Sequence, residues 1–254
     1  MGNEKLIEDF FKLQKIFKNL KISQITKKAE FIDLNNYLNI KLKINNVKSN
    51  GGISFLKGNT VENSILLKNK DRPLILIFGS AYKPGGGVLN GAKAQEEDIS
   101  RHSTFYFQVK DNNEFYGLNH KDYNYSDYAL YVEKGLMLTD IYNYELNEYK
   151  EVSFITIAAP NLSAFIKNKI NINEEDLYKI YKKRLRSFFY FAELKNYKEV
   201  IVGPWGCGVF GLSVEKTALI FKDILSEKIF SGNIIFSILN DEMFNTYKKI
   251  ISNG

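Results

Sequence analysis

One cysteine, two histidines and four prolines are all that the 254 residues hold of those types. A lone cysteine excludes an internal disulfide and suits a reducing compartment, so the cytoplasm is the expected location. One cysteine and two histidines are too few for a zinc site built from those ligands, and no metal is expected. Four prolines, without a Gly/Ser-rich or Pro-rich tract, argue against a flexible linker between domains. No apolar run nears the roughly 18 residues of a membrane-crossing helix, so no membrane partner is expected. The start of the chain, MGNEKLIEDFF, is acidic and amphipathic, unlike a secretory leader. Leu6 stands where a myristoylation signal wants Ser or Thr.

Thirty-five Lys and Arg against 29 Asp and Glu give a net charge of +6. Such a surface is soluble and attracts anions such as phosphate-bearing nucleotides. The lysines are scattered rather than clustered, so no specific nucleic-acid binding is expected.

Residues 4–20 place Leu6, Ile7, Phe10, Phe11, Leu13, Phe17 and Leu20 at helical spacing. Short apolar runs follow at 53–57, 74–78, 152–159, 200–202 and 234–239. Their continuous hydrophobicity suits strands buried on both faces. Helical patterns lie between them: 176–194 with Asn173 as N-cap, 214–230 entered from Ser213, and a last helix ending near Ile251 and capped by Asn240. Residues 105–147 are dense in Tyr, Asn and Asp and read as a long excursion with short strands at 130–132 and 136–138. Alternating strands and helices imply a three-layer α/β/α sandwich. The expectation is a single domain over 1–254, with 1–48 as a helical extension packed on it.

Two glycine-rich loops follow predicted strands. In the first, PLILIF ends at Phe78 and leads into GSAYKPGGG, with Gly85, Gly86 and Gly87 in a row. Such a loop lies at the carboxyl edge of the sheet, where open α/β folds bind ligands. Consecutive glycines let backbone N–H groups approach an anion closely, although a plain tight turn also accounts for them. The second loop, GPWGCGVFG at 203–211, places Gly206, Gly208 and Gly211 in a Gly-x-Gly-x-x-Gly pattern between a strand and a helix, the context of a diphosphate at a helix N-terminus. Trp205 and Phe210 fit either core packing or, for Phe210, stacking on a sugar or base. Glu96 and Glu97 open a helix starting at Gln95. Carboxylates in a first turn are commonly helix-dipole partners. Beside a ligand loop, one could instead act on a bond while the other positions a hydroxyl. A general acid at neutral pH needs its pKa raised by burial or negative charge.

The stretch PGGGVLNGAKAQEED resembles the catalytic signature of the bacterial-type poly(ADP-ribose) glycohydrolases: a glycine triplet, six to eight residues, then Gln-Glu-Glu. GPWGCGVFG resembles that family's diphosphate loop, and ITIAAPN at 155–161 resembles a strand ending in Ala-Pro-Asn. The resemblance implies a macrodomain, with a mixed central sheet between helices and ADP-ribose at its carboxyl edge. It implies that Glu97 is the catalytic acid and that Glu96 holds the hydroxyls of the ribose being cleaved. It also implies that Asn90 binds that ribose and that Gln95 belongs to the substrate-binding set. Gly85, Gly86 and Gly87 would approach the ribose and diphosphate. Gly206, Cys207, Gly208 and Val209 would cradle the diphosphate, with Phe210 against the ligand. The implied partners are poly(ADP-ribose) or an ADP-ribosylated protein, with ADP-ribose as product and no cofactor. One departure is Ile77 in IFGS, where the family pattern has asparagine in NFAS. Competing readings are a mono-ADP-ribosyl hydrolase, a binding-only ADP-ribose reader, a cysteine hydrolase pairing Cys207 with His102 or His120, and a nicotinamide-dependent oxidoreductase built on Gly206–Gly211.

Overall fold

The computed structural model of the chain describes residues 2–19, 21, 26–38, 51–67, 71–118, 123–139 and 149–252. The strands are β1 (Glu30–Asp33), β2 (Ile53–Lys57), β3 (Leu74–Phe78), β4 (Tyr128–Leu138), β5 (Tyr149–Ile157), β6 (Glu199–Val202) and β7 (Asn233–Ile238). They form one sheet in the order β1-β4-β5-β3-β6-β7-β2. β5, β3, β6, β7 and β2 run parallel, while β1 and β4 pair antiparallel at one end. The sheet is therefore mixed, as expected.

Successive residues of a strand face opposite sides, and β3 shows the consequence. Leu74 and Leu76 enter a core beneath α8 (Glu174–Leu194), α9 (Val214–Ser226) and α10 (Asp241–Ser252). Ile75 and Ile77 enter a second core. That core includes Val61 of α3 (Thr60–Leu66), Ile99 of α4 (Gln95–His102), Phe105 and Val109 of α5 (Phe105–Val109) and Phe115 of α6 (Asn113–Leu118). Helices thus cover both faces, which gives the three layers of an α/β/α sandwich, as expected. Ile77, fully buried, packs in this second core instead of offering a polar group.

The caps read from the sequence are in place. The side chains of Asn173, Ser213 and Asn240 accept hydrogen bonds from the backbone N–H groups of Glu175, Lys216 and Met243. The first helix, α1 (Gly2–Asn19), buries Phe10, Leu13 and Phe17.

Several elements differ from expectation. Residues 130–132 and 136–138 belong to one strand, β4, bulged between Val132 and Gly135. A Cβ at Gly135 would stand 2.3 Å from the Phe154 ring, so the bulge brings backbone against an aromatic edge. The excursion from 105 begins with helices α5 and α6. The N-terminal part contributes edge strand β1 and the short helix α2 (Asn35–Leu38) as well as α1. The strand expected at 152–159 ends at Ile157, and the helix expected at 214–230 ends at Ser226.

Candidate active site

β3, β5 and β6 are parallel, so their carboxyl ends line up at one edge and the loops that follow meet there. Between these loops lies a cleft of about 310 Å³. Gly86, Gly87, Glu96 and Glu97 line one side, and Gly206, Gly208, Val209 and Phe210 the other.

Both glutamates are buried in the first turn of α4. Neighbours on a helix diverge by about 100°, yet the glycine loop bends around them and meets both. Ser80 N–H donates to Glu96 Oε2 at 2.6 Å, and Gly87 N–H donates to Glu97 Oε1 at 2.7 Å. Gly86 has φ +61°, a conformation that favours glycine. A Cβ there would stand 2.4 Å from Glu97 Oε1 and 3.1 Å from Glu96 Oε2. The triplet therefore lets backbone sit where any side chain would displace the carboxylates. The remaining oxygens, Glu96 Oε1 and Glu97 Oε2, are buried without a hydrogen-bond partner among the described residues.

Burial pushes the Glu96 carboxyl well above the usual carboxylate range, and the charge of Glu97 adds to it. The backbone N–H groups of Ser80 and Gly85 pull the other way without reversing the shift. Glu96 is the neighbour of the glutamate that the resemblance designates as acid.

Gln95 lines the cleft, but its amide is engaged in the scaffold. Its Oε1 accepts from Phe78 N–H at 2.9 Å, and its Nε2 donates to the Leu76 carbonyl at 2.9 Å. It fastens α4 to the end of β3 and so fixes the height of the two glutamates.

In the second loop Gly208 has open space within 4 Å of a built Cβ and no positive φ, so neither sterics nor backbone strain within the chain demands glycine. Approach of a ligand would. The N–H groups of Gly208, Val209 and Phe210 take no hydrogen-bond acceptor among the described residues. Val209 is 79% exposed. Trp205 is core, its Nε1 donating to the Ile157 carbonyl and its ring 4.7 Å from that of Tyr181. Phe210 is half-buried, packs near Tyr125 and lines the cleft.

Three expected contacts are not brought into the cleft. Gly85, at φ +64°, is buried outside the cleft lining. Asn90 closes the 3₁₀ turn Val88–Asn90 and is exposed, outside the cleft lining. Cys207 is buried, with Sγ 3.0 Å from Thr217 Oγ1, and its N–H donates to the Pro204 carbonyl. That bond withdraws the amide from the set available to an anion. Burial pushes the Cys207 thiol up, although Thr217 and Tyr247 oppose this. A poorly ionised thiol disfavours a cysteine nucleophile. His102 Nδ1 stands 2.8 Å from the carbonyl of Asp98 on its own helix. His120 lies outside the described residues.

Ser80 and Lys83 were missed as site residues, although both sit inside the GSAYKPGGG stretch. Their signal was position alone, between a strand end and a glycine triplet. The Ala-Pro-Asn stretch is found where expected, at the end of β5. Asn161 caps α7 (Leu162–Lys167) by accepting from Ala164 N–H, and its amide donates to Tyr125 OH. Among the described residues no group of three or more His, Cys, Asp or Glu is arranged to hold a metal. None of the described helices is long and apolar enough to cross a membrane.

Comparison with known proteins places this geometry. The chain is similar to the poly(ADP-ribose) glycohydrolase of Thermomonospora curvata, with TM-score 0.85 and 21% identity over 98% of this chain and 99% of that one. It matches the same protein bound to the inhibitor ADP-HPD with TM-score 0.83 and 21% identity, over 98% and 99%. It also resembles the Deinococcus radiodurans enzyme in complex with ADP-ribose, with TM-score 0.76 and 21% identity over 89% and 94%. At such identities the likeness shows the fold. None of the curated proteins searched matches. The catalytic domain of microbial-type PARG, poly(ADP-ribose) glycohydrolase, matches residues 9–139, just over half of the sequence, and the chain belongs to that family.

Proposed function

We propose that this glycoside hydrolase, a poly(ADP-ribose) glycohydrolase by family, cleaves the ribose–ribose O-glycosidic bond with Glu97 as acid and then base. The observation that carries the reading is the convergence of two buried carboxylates on one glycine loop. Each lines the cleft with one oxygen bound to a backbone N–H and the other buried without a partner among the described residues. In this mechanism Glu97 protonates the departing ribose oxygen as the bond from C1 of the adjoining ribose breaks. An oxocarbenium-like centre forms at that carbon, and the ligand's own diphosphate stabilises it. Water then adds to the carbon and returns a proton to Glu97. One carboxylate acts twice, so the carboxyl spacing of ordinary glycosidases does not apply. Glu96 holds the hydroxyls of the ribose through its inward oxygen. The amides of Gly208 and Val209 cradle the diphosphate, with Gly206 turning the loop at φ +81°. Phe210 flanks the ligand.

The whole chain acts as one unit in this reading, with the N-terminal segment built onto it. The single cysteine fits work in the cytoplasm. A second reading gives the proton to Glu96, and the raised pKa of that group favours it.

The substrate class is tested by one assay of ADP-ribose release. O-linked polymer, Ser-linked, Asp/Glu-linked and Arg-linked ADP-ribosyl proteins are offered in parallel. The reading expects release from polymer to exceed the others. Release from a mono-ADP-ribosyl protein with polymer left intact would make the chain a mono-ADP-ribosyl hydrolase.

A further inference from the structure

Among the described residues that line the cleft, Lys83 carries the sole ammonium or guanidinium. It is exposed, and no carboxylate pairs with it among the described residues. Its backbone is held firmly. Ser80 Oγ accepts from Lys83 N–H at 3.1 Å, and the Lys83 carbonyl accepts from Gly86 N–H at 2.9 Å. The same Ser80 donates its N–H to Glu96. One serine therefore ties the cation's backbone to the carboxylate's position. Pro84 follows, and a residue before proline is biased to extended backbone, which restricts the base of the flexible stem.

The electrostatics give this placement a purpose. The substrate carries two phosphate charges per unit, and the two buried carboxyls of the cleft offer nothing that attracts them. The amides of the second loop offer partial charges on one wall only. A full positive charge on the opposite wall, beside the glycine triplet, supplies the attraction that the carboxyls lack. We infer that Lys83 is a substrate-binding residue whose ammonium takes a phosphate of the ADP-ribose chain. This rests on the proposed function for the identity of the anion. The phosphate can belong to the unit held in the cleft or to the neighbouring unit that departs, and the test separates them.

The experiment is calorimetry in a Glu97→Gln background, with and without Lys83→Met, against ADP-ribose and against a short poly(ADP-ribose) chain. Met keeps the length of the stem and removes the charge. Affinity is expected to fall about tenfold, and the slope of log affinity against log salt to shrink by about one. Loss with both ligands assigns the phosphate to the bound unit; loss with the chain alone assigns it to the neighbour. Lys83→Arg is expected to restore most of the affinity. Equal affinity and equal salt slope for both ligands with Lys83→Met would overturn the assignment. Failure of the function reading shows separately, as absence of polymer release by the unaltered chain.

Discussion

Glu96 is the residue at which stability and chemistry pull apart. Its folded-state pKa is raised, first by burial and then by Glu97. A carboxyl whose folded pKa lies above its unfolded value favours the fold when protonated. That contribution is full below the ordinary glutamate pKa of about 4.3 and is lost as pH rises toward the raised value. Gln resembles the protonated form. Glu96→Gln is therefore expected to raise the melting temperature by about 2–4 °C at pH 8, and by less at pH 5. Thermal denaturation at the two pH values checks this; an equal gain at both would refute the burial argument. Gly86 gives a second residue-scale prediction. Ala there meets both a positive φ and the Glu97 oxygen at 2.4 Å. Gly86→Ala should cost about 1–2 kcal/mol of stability and lower turnover by about 100-fold through displacement of the carboxyl. Denaturant unfolding and single-turnover assays measure the two effects. At this scale the sequence was informative where chemistry restricts residue choice. Three glycines and two glutamates announce a tight approach of backbone to acid. It was misleading where the side chain type is neutral about its task. Nothing in the letters shows that the Gln95 amide binds backbone, that the Cys207 N–H closes a turn, or that Asn90 faces solvent.

Elements hold the end of β5 and residues 123–127, whose Tyr125 packs behind the cleft residue Phe210. Arg184, on α8, is almost completely buried and donates to the carbonyls of Tyr125 and Ala158 and to Asp127 Oδ1. Lys183 donates to the other Asp127 oxygen at 2.6 Å. Burial alone would push Asp127 up, but these two cations outweigh it and hold the carboxyl below its usual value. A depressed carboxyl stabilises the fold above its unfolded pKa and loses that contribution as pH falls through the folded one. The native chain should therefore lose stability below about pH 4, and Asp127→Asn should flatten that limb of the profile. Arg184→Met, which leaves two buried carbonyls unpaired and Asp127 with Lys183 alone, should cost about 3–5 kcal/mol. Equilibrium unfolding against pH checks both, and an acid limb unchanged in Asp127→Asn would remove Asp127 from the account. Arg184 sits inside a helix whose apolar face was legible from its spacing, but a lone arginine on that stripe gives no sign of its partners. Strands β3, β6 and β7 were legible because both of their faces are apolar. β1 and the bulged centre of β4 were not. The first is a four-residue edge strand, half-exposed and without alternation, and the second is interrupted by Glu133, Lys134 and Gly135.

For the molecule as a whole, the sheet does two jobs with one geometry. Its alternating side chains feed separate cores on the two faces, and its parallel strands deliver three loops to one edge. The site therefore stands on rigid elements while its contacts are made by backbone, which suits a ligand rich in phosphate and hydroxyl groups. Helix α1 extends this support to the catalytic loop. Phe10 packs edge-on against Tyr106 at 4.8 Å, and a Cβ at Gly85 would meet that tyrosine at 2.8 Å. The layers and the site were foreseeable together because the glycine loops follow strands whose burial pattern was plain. The central claim is that Glu97 moves the proton in a cleft that otherwise only binds. Its most direct test is single-turnover release of ADP-ribose from poly(ADP-ribose) by Glu97→Gln beside Glu96→Gln. The account predicts a rate loss of at least about 100-fold for Glu97→Gln with ADP-ribose binding retained, and a loss expressed mainly in binding for Glu96→Gln. Undiminished release by Glu97→Gln would contradict it.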